Sequence, residues 1–208
     1  MDVEKAYNIW ADQYDSNLNK TRDLEAYALQ QTLKEIDFNK VLEIGCGTGK
    51  NTGWFVSKAS HITAVDFSEQ MLDKAKNKIK SDKVEFHRAD IKGDWHFVNQ
   101  DYDIITFSLV LEHIEDLDEI FKKASKATNG YVYIGELHPF KQYTGSKARF
   151  DTENGQQVVQ CFNHHVSDFL QAAKNNNFKV VDVNEYFDEG DRTSVPRILS
   201  LLFKMSIQ

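Results

Sequence analysis

Val41-Leu42-Glu43-Ile44-Gly45-Cys46-Gly47-Thr48-Gly49 is the stretch that decides the fold. Its apolar start reads as a buried strand, which then breaks into glycines at alternate positions. Glycine there permits positive φ and lets the backbone approach a ligand closely. Asn51 and Thr52 follow, then the apolar Trp54, Phe55 and Val56, so a helix is predicted to begin near Lys50 or Asn51. Strand, glycine turn and helix N-terminus together make a nucleotide-binding corner. NAD-type turns space their glycines G-x-G-x-x-G. This turn reads acid-x-G-x-G-x-G instead.

Further segments follow downstream. Ile62-Thr63-Ala64-Val65-Asp66-Phe67 is a short β-branched strand ending in an acid, 21 residues after Gly45. At the end of a second strand in a doubly wound sheet, such an acid accepts hydrogen bonds from ribose hydroxyls. The plainer reading of Asp66 is that it only ends a strand. Ser68 is predicted to cap a helix with Met71, Leu72, Ala75 and Ile79 on one face. Val84 to Ile91 reads as a third strand with Asp90 just beyond it. Tyr102 to Ile114 reads as a fourth, running into Glu112-His113.

These motifs, in this order across residues 39–137, resemble class I S-adenosylmethionine-dependent methyltransferases of the small-molecule, type 11/25-like kind. The resemblance implies S-adenosyl-L-methionine as cofactor. It implies that Glu43, Gly45, Cys46, Gly47 and Gly49 form the turn beneath it and that Asp66 holds the ribose. Asp90 would accept from the adenine amino group, with Ile91 packed on the ring. Phe67, Met71 and Leu109 would complete the lining. Trp10-Ala11-Asp12-Gln13-Tyr14-Asp15 resembles the family's entry helix, in which Tyr14 closes over the cofactor; the alternative is an aromatic packed on the core. Arg22 falls in a predicted first helical turn, where the helix dipole disfavours a cation. Its partner is then either the cofactor carboxylate or a neighbouring Asp23 or Glu25.

Elsewhere, residues 3–17 are predicted helical, and Thr21 is predicted to cap a helix carrying Ala26, Leu29, Leu33 and Ile36. Leu117, Ile120, Phe121 and Ala124 make an amphipathic stripe that Asn129-Gly130 should end before the strand Tyr131–Ile134. Ser167 is predicted to cap a helix burying Phe169, Leu170 and Ala173. Phe178 to Phe187 reads as a strand. Leu199, Leu201, Phe203, Met205 and Ile207 alternate, the period-two mark of a strand. The expected fold is α/β: a Rossmann-like open sheet, mostly parallel, with an antiparallel C-terminal strand pair and helices on both faces. One domain is expected over 1–208. It divides into a helical cap (1–38), a cofactor-binding core (39–137), a substrate lid (138–165) and a closing helix with the strand pair (166–208).

The net charge of −7 argues against a nucleic-acid partner. No apolar run approaches a membrane span, and the N-terminus does not read as a signal peptide. Cys46 and Cys161 suggest no disulfide framework, and a cytoplasmic setting is expected. Zinc-type spacing is absent and adjacent His164-His165 point apart on regular structure, so no metal is expected.

Methyl transfer from a sulfonium needs alignment and, where the acceptor carries a proton, a base. His113 and His138 are the leading candidates, each balanced against a structural role in a turn; Tyr14, Tyr143, His164 and His165 are further ones. The acceptor is expected to be a small molecule held under the lid, with Tyr14, Tyr143 and Arg149 among its contacts and Trp10, Phe140, Lys147 and Phe150 nearby. Arg149 alternatively pairs with Asp151 or Glu153. Competing readings are a protein methyltransferase, a silent cofactor-binding regulatory protein and, less compatible with the glycine spacing and Asp90, an NAD-dependent oxidoreductase.

Overall fold

The structure, a computed structural model, describes residues 3–152 and 155–206. Glu153 and Ile207, and the side chains of Phe150 and Asp151, lie outside what is described.

Among the described residues, the strands β1 (Lys40–Ile44), β2 (His61–Asp66), β3 (Val84–Arg88), β4 (Tyr102–Ser108), β5 (Thr128–Leu137), β8 (Phe178–Tyr186) and β9 (Ile198–Met205) form a seven-stranded sheet of order β3-β2-β1-β4-β5-β9-β8. The first five run parallel, and β9 lies antiparallel to both β5 and β8. Two short strands, β6 (Arg149–Thr152) and β7 (Gly155–Val158), pair separately. The helices are α1 (Val3–Tyr14), α2 (Lys20–Leu33), α3 (Lys50–Val56), α4 (Glu69–Lys78), α5 (Leu117–Ala127), α6 (Pro139–Tyr143) and α7 (Val166–Asn175).

Side-chain alternation divides the core between the two faces of the sheet. Leu42, Ile105, Val132, Ile134, Leu201 and Phe203 point to the face covered by α5 and α7. Val41, Ile62, Ile104, Tyr133 and Leu202 point to the face covered by α2 and α3. Phe121 of α5 meets Phe178 and Phe203 at 5.9 and 5.6 Å between ring centroids, tying that helix to the closing hairpin. Burial of this kind is the main favourable term in folding.

Several local expectations are corrected. Asn19, not Thr21, caps α2, its Oδ1 accepting from Arg22 N at 3.0 Å. The cap position of α7 is His165, whose N–H donates to Asp168 Oδ2 at 2.8 Å; Ser167 lies inside the helix. Asn129-Gly130 belongs to β5 rather than to a helix end. Glycine is required at 130 because an added Cβ would sit 2.0 Å from the Asp103 carbonyl oxygen. The closing strand β9 is buried on both faces because helices cover both sides of the sheet there: Leu199, Leu201 and Phe203 pack with residues of α5 and α7, and Leu202 with residues of α2 and α3.

The sheet order reverses between β1 and β4, whose register pairs Ile44 with Phe107, while Ile44 also pairs with Val65 of β2. The carboxyl ends of β1, β2, β3 and β4 therefore open along one rim. Open α/β sheets bind their ligands at such a switch point.

Candidate active site

The rim begins with the turn after β1. Gly45, Gly47 and Gly49 have φ of 73°, 53° and 82°. Gly45 N and Cys46 N both donate to Val65 O, at 2.8 and 3.0 Å, which bends the chain back over β2. A Cβ on Gly45 would lie 2.1 Å from Val110 Cγ2, whereas nothing stands within 4 Å of where one would sit on Gly47. Gly45 is thus needed for close packing, and Gly47 leaves an open backbone face. Glu43 is buried beneath the turn and accepts from Thr52 Oγ1 at 2.6 Å, tying the strand to the first turn of α3. Burial raises its carboxyl to about 8, with Glu25 and Asp66 adding repulsion.

Asp66 follows β2. Its Oδ2 accepts from Gly47 N at 2.7 Å and its Oδ1 from Ser68 N at 2.8 Å. Burial raises the carboxyl to about 6 against these bonds. Ser68 caps α4, as expected, and delivers buried Met71 to the same wall. After β3, Asp90 turns the chain by accepting from Lys92 N, and Ile91 is buried beside it. After β4, Leu109 adopts φ 57°, a conformation uncommon for a side chain with a Cβ. It is held by Leu109 N donating to Gly135 O, and by Glu136 Oε1 accepting from Val110 N and Leu111 N.

Two cavities open on this rim. The larger, about 780 Å³ with its mouth, is lined by Asp66, Phe67, Met71, Asp90 and Ile91 on one side and by Val3, Tyr7, Val110, His113 and Ile114 on the other. The smaller, about 380 Å³, is lined by Arg22, Glu25, Glu43, Cys46, Lys50 and Asn51. Tyr14, Gly45, Gly47, Ser108 and Leu109 line both, so the cavities meet over the glycine turn. Gly49 is not in either lining; its left-handed φ starts α3.

Tyr14 stacks edge-on against Trp10 and lies under the Arg22 guanidinium, 5.4 Å from the ring centroid. That guanidinium is bound to Tyr14 O, Asn17 O and Asp23 Oδ1, so an anionic partner is already supplied by the chain. Arg22 still forms part of the smaller cavity's wall.

His113 lies in a short 3-10 turn, Leu111–His113. Its Nδ1 is 2.8 Å from Gln160 O and its Nε2 2.9 Å from Tyr7 Oη. A carbonyl can only accept, so Nδ1 carries the proton and Nε2 accepts from the Tyr7 hydroxyl. Tyr7 lines the cavity and was missed by sequence reasoning. The available signal was the helical spacing of Tyr7, Trp10 and Tyr14 on one stripe of α1. Glu25 was also missed as a site residue. It precedes Leu29 and Leu33 at intervals of four, on the inward face of α2.

The other expected contacts lie elsewhere. His138 is buried at the cap of α6, where Nδ1 accepts from Phe140 N and Nε2 faces Glu185 Oε1 at 3.1 Å. It lines neither cavity, because the end of β5 turns it toward β8. Tyr143 is 50% exposed and bonds His165 Nδ1, and Arg149 is exposed on β6; neither lines a cavity. The 138–165 segment reaches the site differently. Val159 packs with Ala6, Trp10, Ala11 and Met71, and Gln160 holds His113. His164 is buried against Ile114 O.

The open backbone face at Gly47, the half-buried Asp66 carboxylate beside it and the apolar wall at Ile91 fit an adenosine carrying a charged tail. Comparison with known proteins agrees. A family profile described as a methyltransferase domain matches residues 41–129. An uncharacterized methyltransferase of Emericella nidulans is 24% identical over 86% of this chain and 77% of its own length. Malonyl-[acyl-carrier protein] O-methyltransferase of Bacillus cereus is 31% identical over 77% of this chain, which spans 64% of that relative. Among solved structures, the DhpI–SAH complex matches with a TM-score of 0.77 at 20% identity, over 98% of this chain and 95% of that one. Residues 41–129 thus resemble a methyltransferase domain, and the chain shares its fold with the DhpI–SAH structure. The matched segment holds the glycine turn, Asp66, Asp90 and His113, and α1 and α2 complete the two cavities from outside it.

Proposed function

We propose that this chain transfers a methyl group from S-adenosylmethionine to a small-molecule acceptor that enters beside α1. The observation that carries the reading is the seam at which both cavities share Gly45 and Gly47, with Asp66 bonded to Gly47 N. In this reading Asp66 accepts from the ribose hydroxyls, and Asp90 accepts from the adenine amino group. Ile91, Phe67 and Met71 pack about the adenosine, while Tyr14 and Leu109 close over the seam.

When bound, the cofactor supplies the activated methyl. The chain supplies alignment, exclusion of water and a route for a proton. Val3, Val110 and Ile114 keep the far wall of the larger cavity apolar. An acceptor hydroxyl or amine that donates to the Tyr7 oxygen lets that phenol pass its own proton to His113 Nε2. The resulting imidazolium keeps its Nδ1–H on Gln160 O, so its orientation does not change. Proton transfer through a positioned pair of this kind contributes roughly 10²–10⁴ in rate.

Calorimetry with S-adenosylmethionine, S-adenosylhomocysteine and NAD tests the first half. Binding of the first two without NAD is expected, and a preference for NAD overturns it. Labelled-methyl transfer across a panel of small hydroxyl, amine and thiol acceptors tests the second. Transfer only to protein side chains would replace the small-molecule reading.

A further inference from the structure

We propose that Lys123 is a positioning residue for the cofactor's base: by gathering the carbonyls of Ile91, Lys92 and Gly93 from beneath, it holds Asp90 in place to select a purine that carries an amino group. The inference rests on the cofactor reading above and adds to it a residue that lies outside both cavities.

Three backbone oxygens converge on one ammonium. Lys123 Nζ donates to Ile91 O at 3.2 Å, to Lys92 O at 2.7 Å and to Gly93 O at 2.9 Å. An ammonium carries three donors, so all of them are spent on this loop. Arginine and glutamine cannot aim three donors from a single atom. Lys123 sits at the margin of the α5 stripe, beside buried Ala124 and one turn after Ile120. That place lets its stem follow the edge of the core while its head reaches the loop. Trp95 adds a second tie: its Nε1 donates to Ile91 O at 2.9 Å, and its ring stacks on Phe97 at 5.6 Å between centroids.

These ties decide what a ligand meets. Asp90, Ile91 and Lys92 line the larger cavity, whereas Lys123 lines neither cavity. With its carbonyls drawn toward α5, the loop presents side chains to the cavity. Asp90 Oδ1 accepts from Lys92 N at 2.9 Å, and Asp90 O accepts from Gly93 N at 3.0 Å. Both donors belong to residues whose carbonyls Lys123 holds, so the clamp reaches Asp90 through two bonds. Asp90 Oδ2 faces the Lys92 ammonium at 3.7 Å, outside hydrogen-bond distance, and is placed to accept from a ligand. Without the Lys123 ammonium the three carbonyls lose that partner, and a loop that turns them to water carries Asp90 with it.

The test compares S-adenosylhomocysteine with its analogue that has unsubstituted purine in place of adenine and so lacks the exocyclic amino group. Calorimetry is run on wild type, Lys123→Met, Asp90→Ala and the double variant, with thermal melts as the folding control. Wild type should prefer S-adenosylhomocysteine by about tenfold or more, the worth of one bond to a charged acceptor. Lys123→Met should cut that preference to within about threefold by weakening S-adenosylhomocysteine, and should add no more than about twofold to the loss already caused by Asp90→Ala. A folded Lys123→Met that keeps the wild-type preference, or whose effect adds in full to that of Asp90→Ala, overturns the assignment. Should Lys123→Met fail to fold, Lys123→Gln, which supplies two donors, is read against the same ratio. Failure of both to fold also overturns it, because the lysine then serves the fold and not the base. Wild type that binds both ligands equally refutes selection at Asp90, and wild type that binds neither refutes the cofactor reading beneath it.

Discussion

Replacing Asp66 by alanine should separate ligand binding from folding. In the structure the carboxylate accepts from Gly47 N and Ser68 N. Such bonds to a charged group each contribute about 1.5–3 kcal/mol. Burial works against them, and the net result is a carboxyl raised from 3.8 to about 6. At about 1.4 kcal/mol per pKa unit, that leaves the ionised form about 3 kcal/mol worse off at neutral pH than in water. Removing the group relieves this cost and leaves two N–H groups facing a cavity that water can enter. The two effects oppose, so the variant's stability should stay within about 2 kcal/mol of wild type. Affinity has no such offset. Loss of the bond to the ribose should raise the Kd for S-adenosylhomocysteine by about 10- to 100-fold. Protonation should mimic the mutation, so wild-type affinity falls as pH drops through about 6 while the variant is flat by comparison. Calorimetry across pH 5–8, with thermal melts as the folding control, measures all three. A folded Asp66→Ala variant with unchanged Kd, or with the wild-type pH profile, would refute the reasoning.

Other outcomes follow from the same geometry. Gly45→Ala must push a Cβ into Val110 Cγ2 at 2.1 Å and should abolish cofactor binding or folding, whereas wild-type affinity would mean that the turn can shift at little cost. Glu43 and Glu25 hold protons in the folded state that the unfolded chain releases above about 4.5, so stability should fall as pH rises from about 4.5 to 8; Glu43→Gln should flatten the curve and exceed wild type near pH 8, and urea melts that rise with pH for both proteins contradict this. Tyr7→Phe should lower kcat by about 10- to 100-fold with little change in cofactor Kd, because it removes the hydroxyl on His113 Nε2 while keeping the ring; unchanged kcat on the identified acceptor removes Tyr7 from the proton route. Tyr143→Phe and Arg149→Ala should keep wild-type kinetics, since neither residue lines a cavity, and a changed KM for the acceptor would show that the segment moves during turnover.

The parts of this site that could be read from the sequence are those whose geometry is local. A strand running into alternating glycines, an acid followed by a capping serine, and the α5 stripe each depend on residues within a few positions of one another. What escaped depends on distant partners. Tyr7 and His113 are 106 positions apart, and only folding makes them a pair. His138 follows a strand, as a site residue would, but its ring is claimed by Glu185. Alternation marked β9 as a strand, but the burial of both its faces depends on helices distant in sequence, α5 and α7 on one side and α2 on the other. Gly130 was read as a helix stop because close approach to Asp103 leaves no local mark.

A crystal structure with S-adenosylhomocysteine tests the central claim most directly. The account predicts the ribose hydroxyls within hydrogen-bond distance of Asp66 and adenine between Asp90 and Ile91. Density for the ligand elsewhere, or a ribose that makes no contact with Asp66, would contradict it.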